Sequence, residues 1–571
     1  MRGSDARALL DDPGFVAGWD ALLTSCPWAT AFQAPHFART WYDVYRDVYE
    51  PIIALERADG ALAGLLLLAR HRESGEVVHV GAHHAEYHTW LAPGGPEQSF
   101  IVAALSALAE LDISLVRFLF LAPETPLEWT KDLPALGFLA DVRWHSRGLM
   151  KVGEGSTIAA SLKKSGNKSR LSRLKRSGEV EFVQIRSQDE LAAAFDEIAT
   201  QCDVRQGAVH DSLPFATDPL KRRLYLTLAR DPDVMHCTVL RAGGKVVASH
   251  LGLRSGDMVS LGLITHAPQY GRASPGKLLI LFLGQLLGEQ GLEWFDMTPG
   301  EGYKDRFATD HDDVAVLDVM LNPSVQRRFR IRRRVVTFGR KLGQRLGRDL
   351  LGSVRFAAAA VRIHGPVGAV ARGSAGGMAW VASREEFVLF RRSIDTPVPE
   401  PSNGTTVRFN ELDDLLLYEP ATSSDPRLTD FLSAAVSRLE RGDLMATVLR
   451  DGALIHCGWL SVDAKKVWPT SNHRLDIDGG ISFLQEGFTH PNAGPEVLRT
   501  SLIERLRVAT ERSKGGWCGA AVMPGGAPSR RLLEELGFDL AGTAGSRVRR
   551  GDRSYWSDVQ EPYSAPEPDP A

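Results

Sequence analysis

Between Tyr270 and Phe307 the chain reads YGRASPGKLLILFLGQLLGEQGLEWFDMTPGEGYKDRF, and this stretch holds most of the residues whose types and order can do chemistry. Ser274 is a helix-capping type, Pro275 suits the first helical position, and Gly276 lets a ligand come close to the backbone. From Lys277 to Gly288 the residues are apolar nearly all round, which predicts a buried helix. Such a helix, if its start faces a cleft, turns N–H groups and a positive dipole end toward it. Ser274, Pro275, Gly276 and Lys277 are therefore candidates for holding a phosphate. A predicted strand, Leu292 to Met297, follows and ends in Thr298, Pro299, Gly300, Glu301, Gly302, Tyr303 and Lys304. Polar groups thus gather beyond the carboxyl end of a strand, where open α/β sheets bind ligands.

Asp296 and Glu301 are the candidate general bases, and Tyr303 and Lys304 are placed to meet an acyl donor or acceptor. An amine that loses its proton to a carboxylate can attack a thioester directly, so no covalent enzyme intermediate is required. Two plainer readings stay open: Asp296 as a structural strand-end residue, and Tyr303–Lys304 as a surface turn. Gly271 to Lys277 also matches the G-x-x-x-x-G-K pattern of a nucleotide-binding loop. The next residue is Leu278, however, where a hydroxyl must hold magnesium, and Pro275 removes an N–H from the cradle.

Other candidates lie outside this stretch. Arg205 and Gln206, in DVRQG, read as following a helix and facing substrate, or as a helix-end arginine answering the dipole. His250 sits mid-strand in ASHLGLRSG, as a substrate-facing group or a satisfied core histidine. His83, His84, Glu86, Tyr87 and His88 make a polar aromatic cluster after a strand. Their spacing matches no zinc pattern, so no metal is expected, and Tyr87 is assigned to a substrate cleft. The segment from Ser161, SLKKSGNKSRLSRLKRSG, concentrates Lys163, Lys164, Lys168, Arg170, Arg173, Lys175 and Arg176, either to meet a polyanion or as a solvated face.

The elements that must position these residues are those of an α/β fold. In 1–150, Pro51 to Leu55 and Ala61 to Leu68 form a predicted hairpin around ADG, Ser99 to Leu111 a helix and Ser114 to Leu121 a buried strand. In 151–323 the grammar repeats: a helix from Ser187, another after Pro219, a hairpin at Val239–Ala248 around AGG, and the SPG helix. Residues 324–385 change character. Ten Lys or Arg residues fall between 327 and 348, with an apolar stripe at helical spacing, and GPVGAVARGSAGG from Gly365 to Gly377 reads as a linker. This basic helix either packs between domains or lies on an anionic membrane surface. Residues 386–560 form a further α/β unit, with a hairpin around DGA, a helix from Pro495 to Arg512, a strand from Trp517 to Val522 and a helix from Ser529 to Leu536. The tail 561–571 is too rich in proline and acid to fold.

SPG opening a leucine-rich helix, then a Phe-Asp strand and Gly-Glu-x-Tyr-Lys, resembles the bacterial CelD-type acyltransferases of the GNAT superfamily, over residues 26–320. The resemblance implies two GNAT-like units in tandem, and APSRRLLEELGFDLAG is similar to the closing helix–strand of a third. It implies acyl-CoA as co-substrate and transfer to an amine or hydroxyl acceptor, in exopolysaccharide or cell-envelope biosynthesis. FemAB-type proteins have the same double unit and use aminoacyl-tRNA, which is the alternative donor here. The turn THPNAGPEVL, in the place of the third unit's pyrophosphate loop, lacks the arginine and paired glycines expected there. A non-catalytic scaffold docked on membrane is a third reading.

Composition bounds these readings. A chain of 571 residues implies three or four domains, and 44% hydrophobic with 24% charged residues describes a globular protein. A net charge of −3 excludes a globally basic nucleic-acid binder, leaving tRNA to local patches. Five scattered cysteines without a C-x-x-C pair argue against a disulfide framework and a structural zinc site. MRGSDARALLDDPG is no secretory leader, and the longest apolar runs fall short of the ~20 residues a membrane span needs. The expected location is cytoplasmic, with peripheral membrane contact through 327–348.

Overall fold

The structure, a computed structural model, describes residues 1–94, 98–300, 302–331, 333, 382–401, 404–422, 425–470, 473–523, 527–549, 552–560 and 563–564. Glu301, most of the basic segment 327–348, the glycine-rich run 365–377 and most of the tail lie outside the described residues. The chain is an α/β protein of two compact units. The first takes Met1–Cys202, Pro214–Ala267 and Ala273–Phe338, and the second Asp203–Leu213, Pro268–Arg272 and Gly339–Ala571.

The first unit opens with three helices, α1 (Gly3–Asp11), α2 (Pro13–Ser25) and α3 (Pro35–Val44). Helix α2 starts where it does because Pro13 takes the first position and Asp12 accepts the N–H groups of Gly14 and Phe15 at 2.6 and 3.0 Å. The hairpin β1 (Tyr49–Ala58)/β2 (Ala61–His71) pairs antiparallel and closes through Asp59 and Gly60, both at positive φ (51° and 83°), the geometry that a two-residue hairpin turn demands. Strand β3 (Val77–His79) completes a three-stranded sheet. Helix α4 (Ser99–Glu110) lays Phe100 on Gly64, where an added Cβ would meet the ring at 2.3 Å. Large side chains fill this core, among them Trp19, Trp28, Trp41 and Trp90. Their buried indoles find acceptors: Trp19 donates to Gln33 O at 2.8 Å, Trp28 to Trp90 O at 2.9 Å and Trp90 to Gln98 Oε1 at 3.0 Å.

The main sheet of this unit has nine strands: β4 (Leu115–Leu121), β5 (Leu139–Lys151), β6 (Val180–Ile185), β7 (Met235–Ala242), β8 (Lys245–Ser255), β9 (Met258–Ser260), β10 (Leu263–His266), β11 (Trp294–Pro299) and β12 (Asp310–Met320). Their order is β4-β12-β5-β11-β9-β8-β7-β6, with β10 also on β8. Strands β4 and β5, from the first 151 residues, therefore share one sheet with β11 and β12. The expected division at 150/151 falls inside β5. Helices α5 (Ile158–Lys163), α6 (Ser165–Leu174), α7 (Gln188–His210), α8 (Pro219–Leu228) and α9 (Pro275–Glu289) complete the chain to this point. Helix α9 is buried as its composition predicts: Ile280, Leu283 and Leu287 pack with Val259, Phe295, Met150 and Val152.

In the second unit β13 (Ala382–Ser393), β14 (Arg408–Phe409), β15 (Leu444–Arg450), β16 (Ala453–Thr470), β17 (His473–Thr489), β18 (Trp517–Val522), β19 (Asp539–Arg549) and β20 (Asp552–Val559) run in the order β14-β15-β16-β17-β18-β13-β19-β20. The helices are α10 (Leu428–Arg441), α11 (Pro495–Arg512) and α12 (Ala527–Glu535). Two arginines are buried in this core and answered there: Arg392 by the carbonyls of Leu536, Thr396 and Pro397, and Arg505 by Gln485 O at 2.8 Å and Glu486 at 2.7 Å. Among the described residues no helix is long and apolar enough to cross a membrane, and all five cysteines are buried and free.

Candidate active site

Strands β9 and β11 run parallel and pair only from Met258–Ser260 with Trp294–Asp296. Beyond that point β10 follows β8 and β11 follows β5, so the two chains part. The opening carries polar groups at its root because β11 breaks register against β5 between Asp296 and Pro299, with Thr298 at φ 57°. The Thr298 N–H folds back onto Asp296 Oδ1 at 2.7 Å. Tyr87 donates its hydroxyl to Asp296 Oδ2 at 2.5 Å, and Arg147 Nη1 stands 3.5 Å from the same oxygen. Arg147, from β5, is itself gripped by Asp312 of β12 through a bidentate pair, Nε to Oδ1 at 2.8 Å and Nη2 to Oδ2. Lys304 turns back over the strand end, donating to Thr298 Oγ1 at 2.8 Å and to the carbonyls of Thr298 and Pro299 at 3.3 and 3.2 Å. Gly300 and Gly302, at φ 136° and 99°, supply the turn that allows it.

Glu86 and Tyr87 reach this point on the loop after β3. Gly81 and Ala82, at φ 88° and 43°, reverse the chain into a short 3-10 turn, Ala82–His84. The next residues are held by Gln33, whose amide donates to Tyr87 O at 2.9 Å, and by the His88 N–H on Leu119 O at 2.8 Å. Glu86 is only half-buried as a residue, yet its Oε2 is enclosed and has no hydrogen-bond partner. Burial, with Asp296 adding its charge, pushes the Glu86 carboxyl up to about 8, while Lys304 opposes. Burial also raises Asp296, against Arg147 and Tyr87, and lowers Lys304, against Glu86 and Asp296. Two carboxyl groups and one lysine amine thus lie close together in poorly solvated surroundings.

Helix α9 begins beside a basic group. Burial lowers Lys277, and the charges of Arg170, Lys164 and Arg306 lower it further. Ser274 is the N-cap residue, but it lies at φ 48°, ψ 58° and its side chain makes no cap hydrogen bond. The capping role expected for it is thus corrected: a left-handed backbone turns the hydroxyl away from the first N–H groups. Gly276 is packed against His266, whose Nδ1 would lie 3.2 Å from an added Cβ.

Of the other residues singled out in the sequence, His250 is fully buried in the core. Its Nε2 meets Ser260 O at 2.9 Å, its ring lies edge-on to Phe295, and burial pushes it down to about 3. Arg205 and Gln206 do not follow a helix, because α7 runs on to His210. Arg205 pairs with Glu440 at 2.9 Å, and both residues belong to the second unit rather than to the one holding Asp296. Tyr303 lies at the surface, 44% exposed. The structure therefore groups Tyr87, Asp296 and Lys304, and adds Glu86, Arg147 and Thr298. Glu86 and Thr298 each carried a signal, the polar run His83–His88 and the polar strand end after Met297; Arg147 carried none, since a lone strand arginine is ordinary.

Residues 163–306 match the acetyltransferase (GNAT) domain family. No curated protein matches the chain in sequence. Among solved structures it is similar to FemX, at 10% identity and TM-score 0.38 over 53% of this chain and 95% of that one. It is similar to the C-terminal domain of a putative lysylphosphatidylglycerol synthetase from Agrobacterium fabrum, at 15% identity and TM-score 0.35 over 54% and 92%. A third is a GCN5-related N-acetyltransferase from Kribbella flavida, at 14% identity and TM-score 0.26 over 50% and 93%. The protein carries a GNAT-type acetyltransferase domain and is an enzyme of the transferase class.

Proposed function

We propose that the first unit transfers an acyl group from acyl-CoA or a similar thioester to an amine or hydroxyl acceptor where β9 and β11 part. The observation that carries this reading is the convergence of Glu86, Tyr87, Asp296, Thr298 and Lys304 at that opening, within the unit that holds most of the matched region. Both oxygens of Asp296 are engaged, which makes it the residue that holds Tyr87 and Thr298 in place. Glu86 Oε2 is the oxygen left to receive a proton. In this mechanism the acceptor nitrogen or oxygen attacks the thioester carbonyl as its proton passes to Glu86. The carbon–sulfur bond then breaks and the thiolate takes up a proton. The start of α9, uncapped by Ser274 and flanked by Lys164, Arg170, Lys277 and Arg306, suits the donor's phosphates. A role in exopolysaccharide or envelope synthesis belongs to the same proposal, as does peripheral docking of 327–348 on anionic membrane.

The test is thermal denaturation of the full chain with acetyl-CoA and longer acyl-CoA species. Binding to the folded protein raises the melting temperature by mass action, and Gly276→Asp, which puts bulk and negative charge at the phosphate position, should remove that rise. An undiminished rise in the variant would take the α9 turn out of the site. A second reading, an aminoacyl-tRNA donor, draws on the same basic group. It requires tRNA binding with a steep salt dependence that flattens when Lys168, Arg170 and Arg173 become glutamine.

A further inference from the structure

We infer a divalent metal site of zinc type at His83, His84 and Asp218, built on the loop that also carries Glu86 and Tyr87. One ligand atom from each residue lies within 4.8 Å of the other two. Zinc bonds of about 2.0–2.2 Å at tetrahedral angles set neighbouring donors about 3.4 Å apart. The separation of His84 Nε2 and Asp218 Oδ2 is 3.4 Å. The sequence hid this grouping, because Asp218 lies more than a hundred residues from the two histidines and follows no metal-ligand spacing.

The surroundings suit an ion. His84 Nδ1 lies 3.2 Å from Gly81 O and 3.4 Å from the Trp41 indole nitrogen, and Nε2 lies 3.0 Å from the Tyr45 hydroxyl; the tautomer that donates from Nδ1 to Gly81 O is the one that offers the Nε2 lone pair to an ion. Asp218 Oδ1 accepts the Leu220 N–H at 3.1 Å at the start of α8, and Oδ2 accepts the Tyr45 hydroxyl at 2.7 Å. Ligating histidines and carboxylates are typically oriented by such partners. His83 is exposed and provides the entry path, while His84 is almost wholly enclosed, its side chain 2% exposed. Two imidazoles and one carboxylate leave a fourth position for water. The backbone is held for the purpose: Gly81 has φ 88°, and an added Cβ would strike Ala85 at 2.5 Å and Phe37 at 2.9 Å. An ion here ties the turn two residues before Glu86 to the start of α8, and the site stands whether or not the acyl-transfer reading does.

Isothermal titration of the chelator-stripped full-length protein with zinc chloride should show saturable binding, and cobalt(II) should give the visible bands of a four- or five-coordinate ion. His83→Ala is the primary variant, since its surface position keeps the fold, and an unchanged metal-free melting temperature checks that. It should remove the saturable phase and the cobalt bands, as should His84→Ala. Tyr45→Phe, which takes away a partner of the carboxylate, should weaken zinc about tenfold to a hundredfold. A flat titration of the unmodified protein overturns the site, leaving His84 and Asp218 a plain hydrogen-bonded pair. Undiminished binding in both histidine variants overturns it equally, by placing the ion elsewhere.

Discussion

Replacing Arg147 by methionine tests whether the candidate site is built around an ion triad. Its guanidinium stands between two carboxylates, Asp312 in a bidentate pair and Asp296 at 3.5 Å, with side-chain exposures of 10%, 26% and 3% for Arg147, Asp312 and Asp296. Methionine keeps most of the stem volume but leaves both carboxylates without their cation. Asp312 recovers some solvation at its partly open position. Asp296 does not, and retains only Tyr87 and the Thr298 N–H. Breaking a buried pair on one side costs about 3–5 kcal/mol, and the substitution should fall in that range. Tyr87→Phe, which removes one hydrogen bond to a charged group, should cost less, about 1.5–3 kcal/mol. Adding Asp296→Asn to Arg147→Met should recover part of the loss, because the amide needs no countercharge. The measurement is equilibrium urea unfolding followed by tryptophan fluorescence, with separate transitions fitted separately since the chain has two units. If Arg147→Met costs no more than Tyr87→Phe, and Asp296→Asn adds to the loss, the triad reasoning is refuted.

Glu86→Gln should abolish transfer to an amine while leaving the acyl-CoA melting shift in place; loss of the shift instead would make Glu86 a binding residue. Burial holds His250 down to about 3, and His236 and His456 down to about 4, so these rings stay neutral in the folded chain. The unfolded chain, with ordinary histidines near 6.5, binds protons first as the pH falls. Their stabilising contribution is therefore present above about pH 6.5 and is lost between there and about pH 4, at ~1.4 kcal/mol per pKa unit per ring. Melting curves across that range should slope accordingly, and a flat profile would show the rings to be solvated. Ser274→Ala should leave stability nearly unchanged, since the side chain makes no cap hydrogen bond; a loss of ~1 kcal/mol would restore the capping role.

Elements set by local pattern were legible in the sequence. The ADG hairpin, the helix from Pro495 to Arg512 and the strand from Trp517 to Val522 appear as read, because two-residue turns, proline at a helix start and short apolar runs act within a few residues. The helix after Ser274 and the strand read at Leu292–Met297, found at Trp294–Pro299, were equally plain, since their apolar runs are continuous. What sequence alone did not carry is which distant side chains meet. The pairing of β4 with β12 spans roughly two hundred residues, and it decides that the first 150 residues share a sheet with the next portion of chain. The partners of Asp296 come from a loop at Tyr87, whose polar run was legible, and from a strand at Arg147, marked by no local motif; that either meets Asp296 was not written in any short window. Ser274's cap failed for a related reason: its residue type favours capping, but the close packing of Gly276 against His266 goes with a left-handed approach to α9 that turns the hydroxyl aside. Residue type and spacing thus determined the elements and the matched transferase domain. Long-range strand pairing, which no short window of sequence encodes, determined the site.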